Sequence, residues 1–442
     1  MIIQIKKLME VTFIMRGTSR LTKLMAVILV LACVIAALVP SATAQAKSKK
    51  PKYKFEAKEI YVMDAKSGQM LYQKNSHQKR PIASLSKLMT LYLTKKAIDQ
   101  HQLSWNQKVP VSKPLIKMSK SYELGTFKIK KSKQYTVKQL YQAALIASSN
   151  SSAIALGELV AGGSNTKFIN LMNRQAQKWG IDAHFVSSSG LDNTDLTTYK
   201  LQVPGTGKKA QNMVSAKAIS TVAAKVLGEF PSITKWSRKP SMKVGNQVLV
   251  NSNRLLKGDA FYKKSEHVDG LKTGFTDTAG LCLTVSFWHK GRHLIATIID
   301  SNTIFSSMEK LVRAIEKNYT TETYLIHQNI FTIGNRKVSA SPQDSRATIW
   351  KTESSKPSIS DSYELTTQKL PVKKGSTVGN VLVKVGNSTA TVPMLATQSV
   401  RAPKTIVKET VKHRSLFSKI GDFLGNLISG LARVVNQIFK HL

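Results

Sequence analysis

The chain has 442 residues, enough for two domains that each bury a core. A hydrophobic share of 42% excludes a largely disordered polymer. A formal charge of +41 makes polyanions the obvious partners but specifies no chemistry.

The first elements in chain order are not part of a fold. Arg16, Arg20 and Lys23 precede an unbroken apolar run from Leu24 to Val39, and Ala42-Thr43-Ala44 follows with small residues. Basic, apolar, small is the order of a secretory signal peptide, so residues 1–44 are expected to be removed and the protein exported. Cys33 leaves with them. Cys282 is then the one thiol of the mature chain, and an intrachain disulfide is excluded. The leader carries a net +4, with Lys6, Lys7, Arg16, Arg20 and Lys23 against Glu10, which leaves +37 for the remainder. The lysines are scattered and no basic motif is interleaved with aromatics. Anionic envelope polymers and anionic lipid therefore fit better than nucleic acid.

A polar linker, 45–52, leads to "IYVMD", "AKSG", "QMLYQ", read as a hairpin. "RPIASLSKLMTLYLTKKAID" has apolar residues at helical spacing, opened by Ser84 with Lys87 one turn on. Residues 138–160 read as two helical stretches broken by a Ser/Asn cluster, and "GLDNTDLTTYKLQVPGTGKKAQNM" as loop. A helix is expected over Ser215–Leu227. Strand, turn and strand follow in "MKVGNQVLVNSNRLL", and the strongest hairpin is "LCLTVSFWHKGRHLIATIID". A helix near 306–318 closes the unit.

Helices at the flanks and hairpins at both ends predict one α+β domain over 53–320. Short alternating strands over 321–402 predict a small β-rich domain. Over 403–442 a basic linker leads into "SLFSKIGDFLGNLISGLARVVNQIFKHL", with apolar residues on one helical face and Lys419, Arg433 and Lys440 on the other. That pattern predicts a helix lying on an anionic membrane surface, too polar to span it.

No H-E-x-x-H and no Cys/His cluster is present, so neither a metal nor another cofactor is expected. "GTGKK" lacks the first glycine and the Ser/Thr of a phosphate loop. The chemistry rests instead on Ser84 and Lys87, which share one helix face at i and i+3. A desolvated lysine loses its proton readily and can deprotonate a serine, so the pair can act as nucleophile and base without histidine. Alone it is weak, because Ser232–Lys235 and Ser307–Lys310 have the same spacing. Ser148-x-Asn150 lies at the break between two helices. Lys272-Thr273-Gly274 stands ahead of the strongest hairpin, where glycine admits a substrate backbone and Lys with Thr suits a carboxylate. The order S-x-x-K, S-x-N, K-T-G makes three weak signals jointly strong.

The trio resembles that of the penicillin-binding serine acyl-transferases. Its contexts "PIASLSKLMT", "SNSSAIALGELVAG" and "VDGLKTGFTDTAG" look like those of the low-molecular-mass D-alanyl-D-alanine carboxypeptidases. The resemblance implies a transpeptidase-like fold: an antiparallel sheet flanked by helices, a helical subdomain, a small β-rich domain and a terminal amphipathic anchor. It implies Ser84 as acyl-enzyme nucleophile, Lys87 as proton acceptor, Ser148 as relay toward the leaving amine and Asn150 as a ligand of the substrate backbone. Lys272 and Thr273 would hold the terminal carboxylate. The amides of Ser84 and Phe275 would form the oxyanion hole, with the substrate strand along Lys272–Phe275 and Gly274 at its centre. Its substrate would be a peptidoglycan stem peptide ending in D-Ala-D-Ala, with β-lactams as covalent inhibitors. Two departures stand out. Phe275 occupies a position where many relatives have His or Tyr, and Ile304 falls where they place a carboxylate-binding Arg, with none until Arg313. Endopeptidase or transpeptidase activity is the nearest alternative. A β-lactamase is disfavoured because no E-x-x-L-N stretch supplies a deacylating glutamate, and a non-catalytic wall-binding protein is disfavoured by the intact trio.

Overall fold

The computed structural model describes residues 55–352, 362–367, 369–385 and 388–402. The signal peptide, most of the linker and the amphipathic tail expected from the sequence lie outside these. Among the described residues the chain divides into two compact units, the first built mainly from residues 55–321 and the second from 322–349, 362–383 and 389–402.

In the first unit, β1 (Glu59–Asp64) and β2 (Met70–Lys74) form the expected hairpin. β3 (Val268–Thr276), β4 (Gly280–His289) and β5 (Arg292–Ile299) complete a five-stranded sheet in the order β3-β4-β5-β1-β2. β1 pairs antiparallel with β5, so the two ends of the domain sequence meet at the centre of the sheet. β3 is left at an edge. Side chains alternate between faces along a strand, and both faces here are buried. Ile60 and Val62 of β1 pack with Leu283, Val285 and Ile298 against Met308, Leu311, Val312 and Ile315 of a helix, Ile304–Asn318. Tyr61 and Met63 point the other way, into the core of the helical layer.

That layer is organised around α1 (Lys87–Asp99), with α2 (Val137–Ile146), α3 (Asn150–Val160), α4 (Asn165–Lys178) and α5 (Ala216–Glu229). The apolar spacing of α1 suggests a helix with one buried face, yet its first eight residues are all buried, Lys87, Thr90 and Thr94 included. The two threonines are accommodated because Thr94 Oγ1 donates to the Thr90 carbonyl (2.8 Å) and Thr90 Oγ1 to that of Ser188 (2.6 Å). α2 opens with a capping box, Thr136 and Gln139 each accepting from the other's amide. The stretch expected to be loop around residue 195 contains a short helix, Asn193–Thr197, started by the Asp192 side chain accepting from the Asp195 amide.

The second unit holds a five-stranded sheet built from Asn329–Ile333, Arg336–Pro342, Ser388–Ala396, Thr377–Val385 and Ser362–Leu365, in that spatial order. Ile333, Val338, Ala340, Val381, Val383 and Met394 are buried in it. Among the described residues no helix is long and apolar enough to cross a membrane.

Candidate active site

The local backbone around Ser84 differs from a simple helix start. Ala83–Ser86 forms a 3-10 turn, and α1 begins at Lys87. Ser84 makes no capping bond there. Ala83 has φ +46°, a conformation that costs a non-glycine residue about 1–3 kcal/mol. Two glycines hold it in place. A Cβ on Gly190 (φ +86°) would lie 2.0 Å from the Ala83 carbonyl oxygen, and one on Gly274 would lie 3.0 Å from the Ile82 oxygen and 3.1 Å from the Ser84 nitrogen. The loop at Gly190 and the edge strand β3 thus grip the serine turn from separate directions, while Ser84 itself stays half-exposed.

Lys87 is wholly buried. Its Nζ lies 2.7 Å from each of three acceptors: Ser84 Oγ, Asn150 Oδ1 and the Ser189 carbonyl. Burial, with a further push from the charge of Lys272, sets its pKa well below the usual lysine value. This separates it from the two other serine–lysine pairs of the same spacing, whose lysines, Lys235 and Lys310, are solvent-exposed.

Ser148 has φ +56° and stands between α2 and α3, half-buried. Its hydroxyl makes no hydrogen bond among the described residues. Ser149 caps α3 by accepting from the Ser152 amide (3.3 Å). Asn150, the first residue of α3, accepts from Lys87 through Oδ1 and donates through Nδ2 to the Leu124 carbonyl (3.3 Å). Its amide is thus engaged in holding the lysine.

Lys272 is 2% exposed, and burial pushes its pKa down to about 7. Its Nζ donates to the Thr273 carbonyl (2.9 Å). Thr273 shares a hydroxyl–hydroxyl bond with Ser252. Phe275 is 60% exposed on the same strand. Ile304 is buried in the core beneath the sheet, and Arg313 pairs with Glu309 (2.6 Å) on the protein surface. All three motifs therefore converge, with the free edge of β3 running past the serine.

Several residues that support the site carry no recognisable motif. Asn212 accepts from the amides of Val186 (2.7 Å) and Ser187 (2.9 Å), and donates to Ser86 Oγ (2.7 Å) and the Ser187 carbonyl (2.8 Å). It thereby fixes the 187–190 loop that presents the Ser189 carbonyl to Lys87. Arg80, four residues before the serine, pairs with fully buried Glu59 (3.0 Å), which also accepts from the Ala216 amide (3.2 Å). Burial raises the Glu59 pKa to about 7.

A half-exposed serine against a buried lysine, flanked by a serine–asparagine turn and an open K-T-G edge, defines a serine hydrolase of the low-molecular-mass penicillin-binding class. Residues 42–303 match the family model of the peptidase family S11, D-alanyl-D-alanine carboxypeptidase. The chain belongs to that family. It is 27% identical over 322 residues to D-alanyl-D-alanine carboxypeptidase DacF of Bacillus subtilis, a match covering 71% of this chain and 76% of that protein. The fold is similar to a peptidoglycan synthesis regulatory factor (PBP3) of Streptococcus pneumoniae, with TM-score 0.65 and 24% identity over 79% of this chain and all of that one. It is similar also to the ampicillin-bound form of penicillin-binding protein D2 of Listeria monocytogenes, with TM-score 0.50 and 30% identity over 60% of this chain and 98% of that one.

Proposed function

We propose that this enzyme releases the terminal D-alanine of peptidoglycan stem peptides through an ester at Ser84. The observation that carries the reading is the buried Lys87 amine, 2.7 Å from Ser84 Oγ and depressed in basicity. In its neutral form Lys87 takes the Ser84 proton as Oγ attacks the carbonyl carbon of the penultimate residue. The oxyanion is received by the amides of Ser84 and Phe275, since Gly274 lies against the Ser84 nitrogen and Phe275 follows it. The proton passes by way of Ser148 to the departing D-alanine amine, and water then hydrolyses the ester. The substrate extends along the open edge of β3 as an added strand, with Lys272 and Thr273 at its carboxylate in the absence of an arginine at position 304.

β-Lactams acylate the same serine in this reading, which the ampicillin-bound relative supports. Labelled penicillin should mark the protein, and Ser84→Ala should abolish both labelling and D-alanine release from a pentapeptide. Persistent labelling of that variant would sink the assignment. Measuring D-alanine release against cleavage of cross-linked dimers separates carboxypeptidase from endopeptidase action.

The enzyme is proposed to work outside the cytoplasm, held on an anionic membrane surface by residues 415–442 and attracted to wall polyanions by its charge. The support is the leader-like start, the two-faced pattern of the tail and the +41 charge. Removing residues 415–442 should move the enzyme from the membrane pellet to the supernatant; unchanged sedimentation would remove the anchor.

A further inference from the structure

A concentration of unpaired charge among the described residues of the first unit lies away from the lysines of the candidate active site. Residues 113–138 contain eight lysines, no arginine and one acid, Glu123. Lys120, Lys128, Lys130 and Lys131, with Ile129 and Ser132, line a groove of about 820 Å³. None of these four lysines is in an ion pair among the described residues. Like charges brought together repel, so such a cluster destabilises the fold unless counter-ions or a ligand neutralise it.

The backbone beneath is well fixed. Ile129 is buried between exposed Lys128 and Lys130, so their side chains are turned to the same solvent side. Gln247 bonds both backbone groups of Lys128, accepting from its amide (2.9 Å) and donating to its carbonyl (2.9 Å). The Lys130 amide donates to the Tyr135 hydroxyl (3.0 Å), and the Ile129 amide to Ser119 Oγ (3.0 Å). The same segment carries Leu124, whose carbonyl accepts from Asn150, the residue that also holds Lys87.

We propose that this groove binds a linear phosphodiester polymer, a polyol phosphate of the envelope, and so holds the enzyme on its insoluble substrate. A concave site admits a single chain, whereas a bilayer presents a plane. Lysines acting as point charges, without the planar fork of arginine, suit a flexible row of phosphates rather than one rigid anion. The proposal concerns where the enzyme rests and is independent of the Ser84 chemistry, so the failure of either leaves the other standing.

The test uses the full chain and purified poly(glycerol phosphate) as probe, with affinity followed against salt. Changing Lys120, Lys128, Lys130 and Lys131 together to Gln should weaken binding roughly tenfold or more, and should flatten the salt dependence by about three units of slope. A charge-matched control, with Lys167, Lys178, Lys208 and Lys209 changed to Gln, should bind like the parent. If the groove variant melts below the parent, the double change Lys128→Gln with Lys130→Gln is read instead, with a roughly threefold loss expected. Equal weakening in groove variant and control would show a net-charge effect and overturn the groove. Unchanged binding in the groove variant would do the same. So would loss of binding to phosphatidylglycerol vesicles with polymer binding retained, which would assign the lysines to a membrane.

Discussion

Lys87 and Lys272 are two buried amines in one cleft, and the roles proposed for them need opposite charge states. Lys87 must be neutral to accept the Ser84 proton, so acylation should rise with pH as its depressed pKa is passed. Lys272 must be charged to hold a carboxylate, and with a pKa pushed to about 7 the free enzyme loses that charge as pH rises through neutrality. The profile of kcat/KM for a peptide with a free carboxylate should therefore be bell-shaped, its alkaline limb starting near 7. Labelling by a neutral ester substrate, which needs no carboxylate contact, should lack that limb. A common alkaline limb for both substrates would count against the division of roles. At this scale the sequence was informative about which side chains gather in the cleft, as at Ser84, Lys87, Asn150 and Lys272. It was silent where backbone does. The carbonyls of Ser189 and Leu124, which orient Lys87 and Asn150, are backbone groups that any residue would supply, and no residue type advertises them.

At the scale of elements, the site is a 3-10 turn clamped between a glycine-tipped loop and an edge strand. Loop 187–190 has no regular structure and is held by Asn212, which makes four buried hydrogen bonds, two to Ser187, one to the adjoining Val186 and one to Ser86. Removing such a hub leaves several buried groups without partners, at about 1–3 kcal/mol each. Asn212→Ala should lower stability by about 2–4 kcal/mol and slow penicillin acylation at least tenfold by loosening the support of Lys87. Full acylation rate in a destabilised variant would show that the loop matters to the fold alone. Asn212 lies in "KKAQNMVS", which has no periodicity to mark it. The hairpins were legible from alternation and turns. The all-round burial of α1 was not, because apolar spacing reveals one buried face and cannot show that a loop and the four helices α2, α3, α4 and α5 enclose the others.

At the scale of the whole molecule, composition raised polyanions as an expectation and no more, while the fold shows where charge is concentrated and where it is paired. The groove lysines have no ion partner among the described residues, but Arg292 is matched to buried Asp64 through Nη2 (2.7 Å), and Arg80 to Glu59. The division into an α+β unit and a β-rich unit followed from a change in texture near residue 320. That change was visible because short alternating strands with Gly, Asn and Pro turns replace helical periods. The order of strands within the main sheet was not visible, since β1 pairs with β5 across more than two hundred residues.

The three bonds to Lys87 Nζ come from one partner three residues away, one 63 away and one 102 away. An amine loses its water and its high basicity only after the distant partners have closed around it. A chain still collapsing therefore carries an inert alcohol and an ordinary ammonium, and gains a reactive pair only once those distant segments have met. During refolding from denaturant, capture of a fluorescent penicillin should trail the recovery of helical circular dichroism; simultaneous recovery would mean that reactivity is written into the local turn alone.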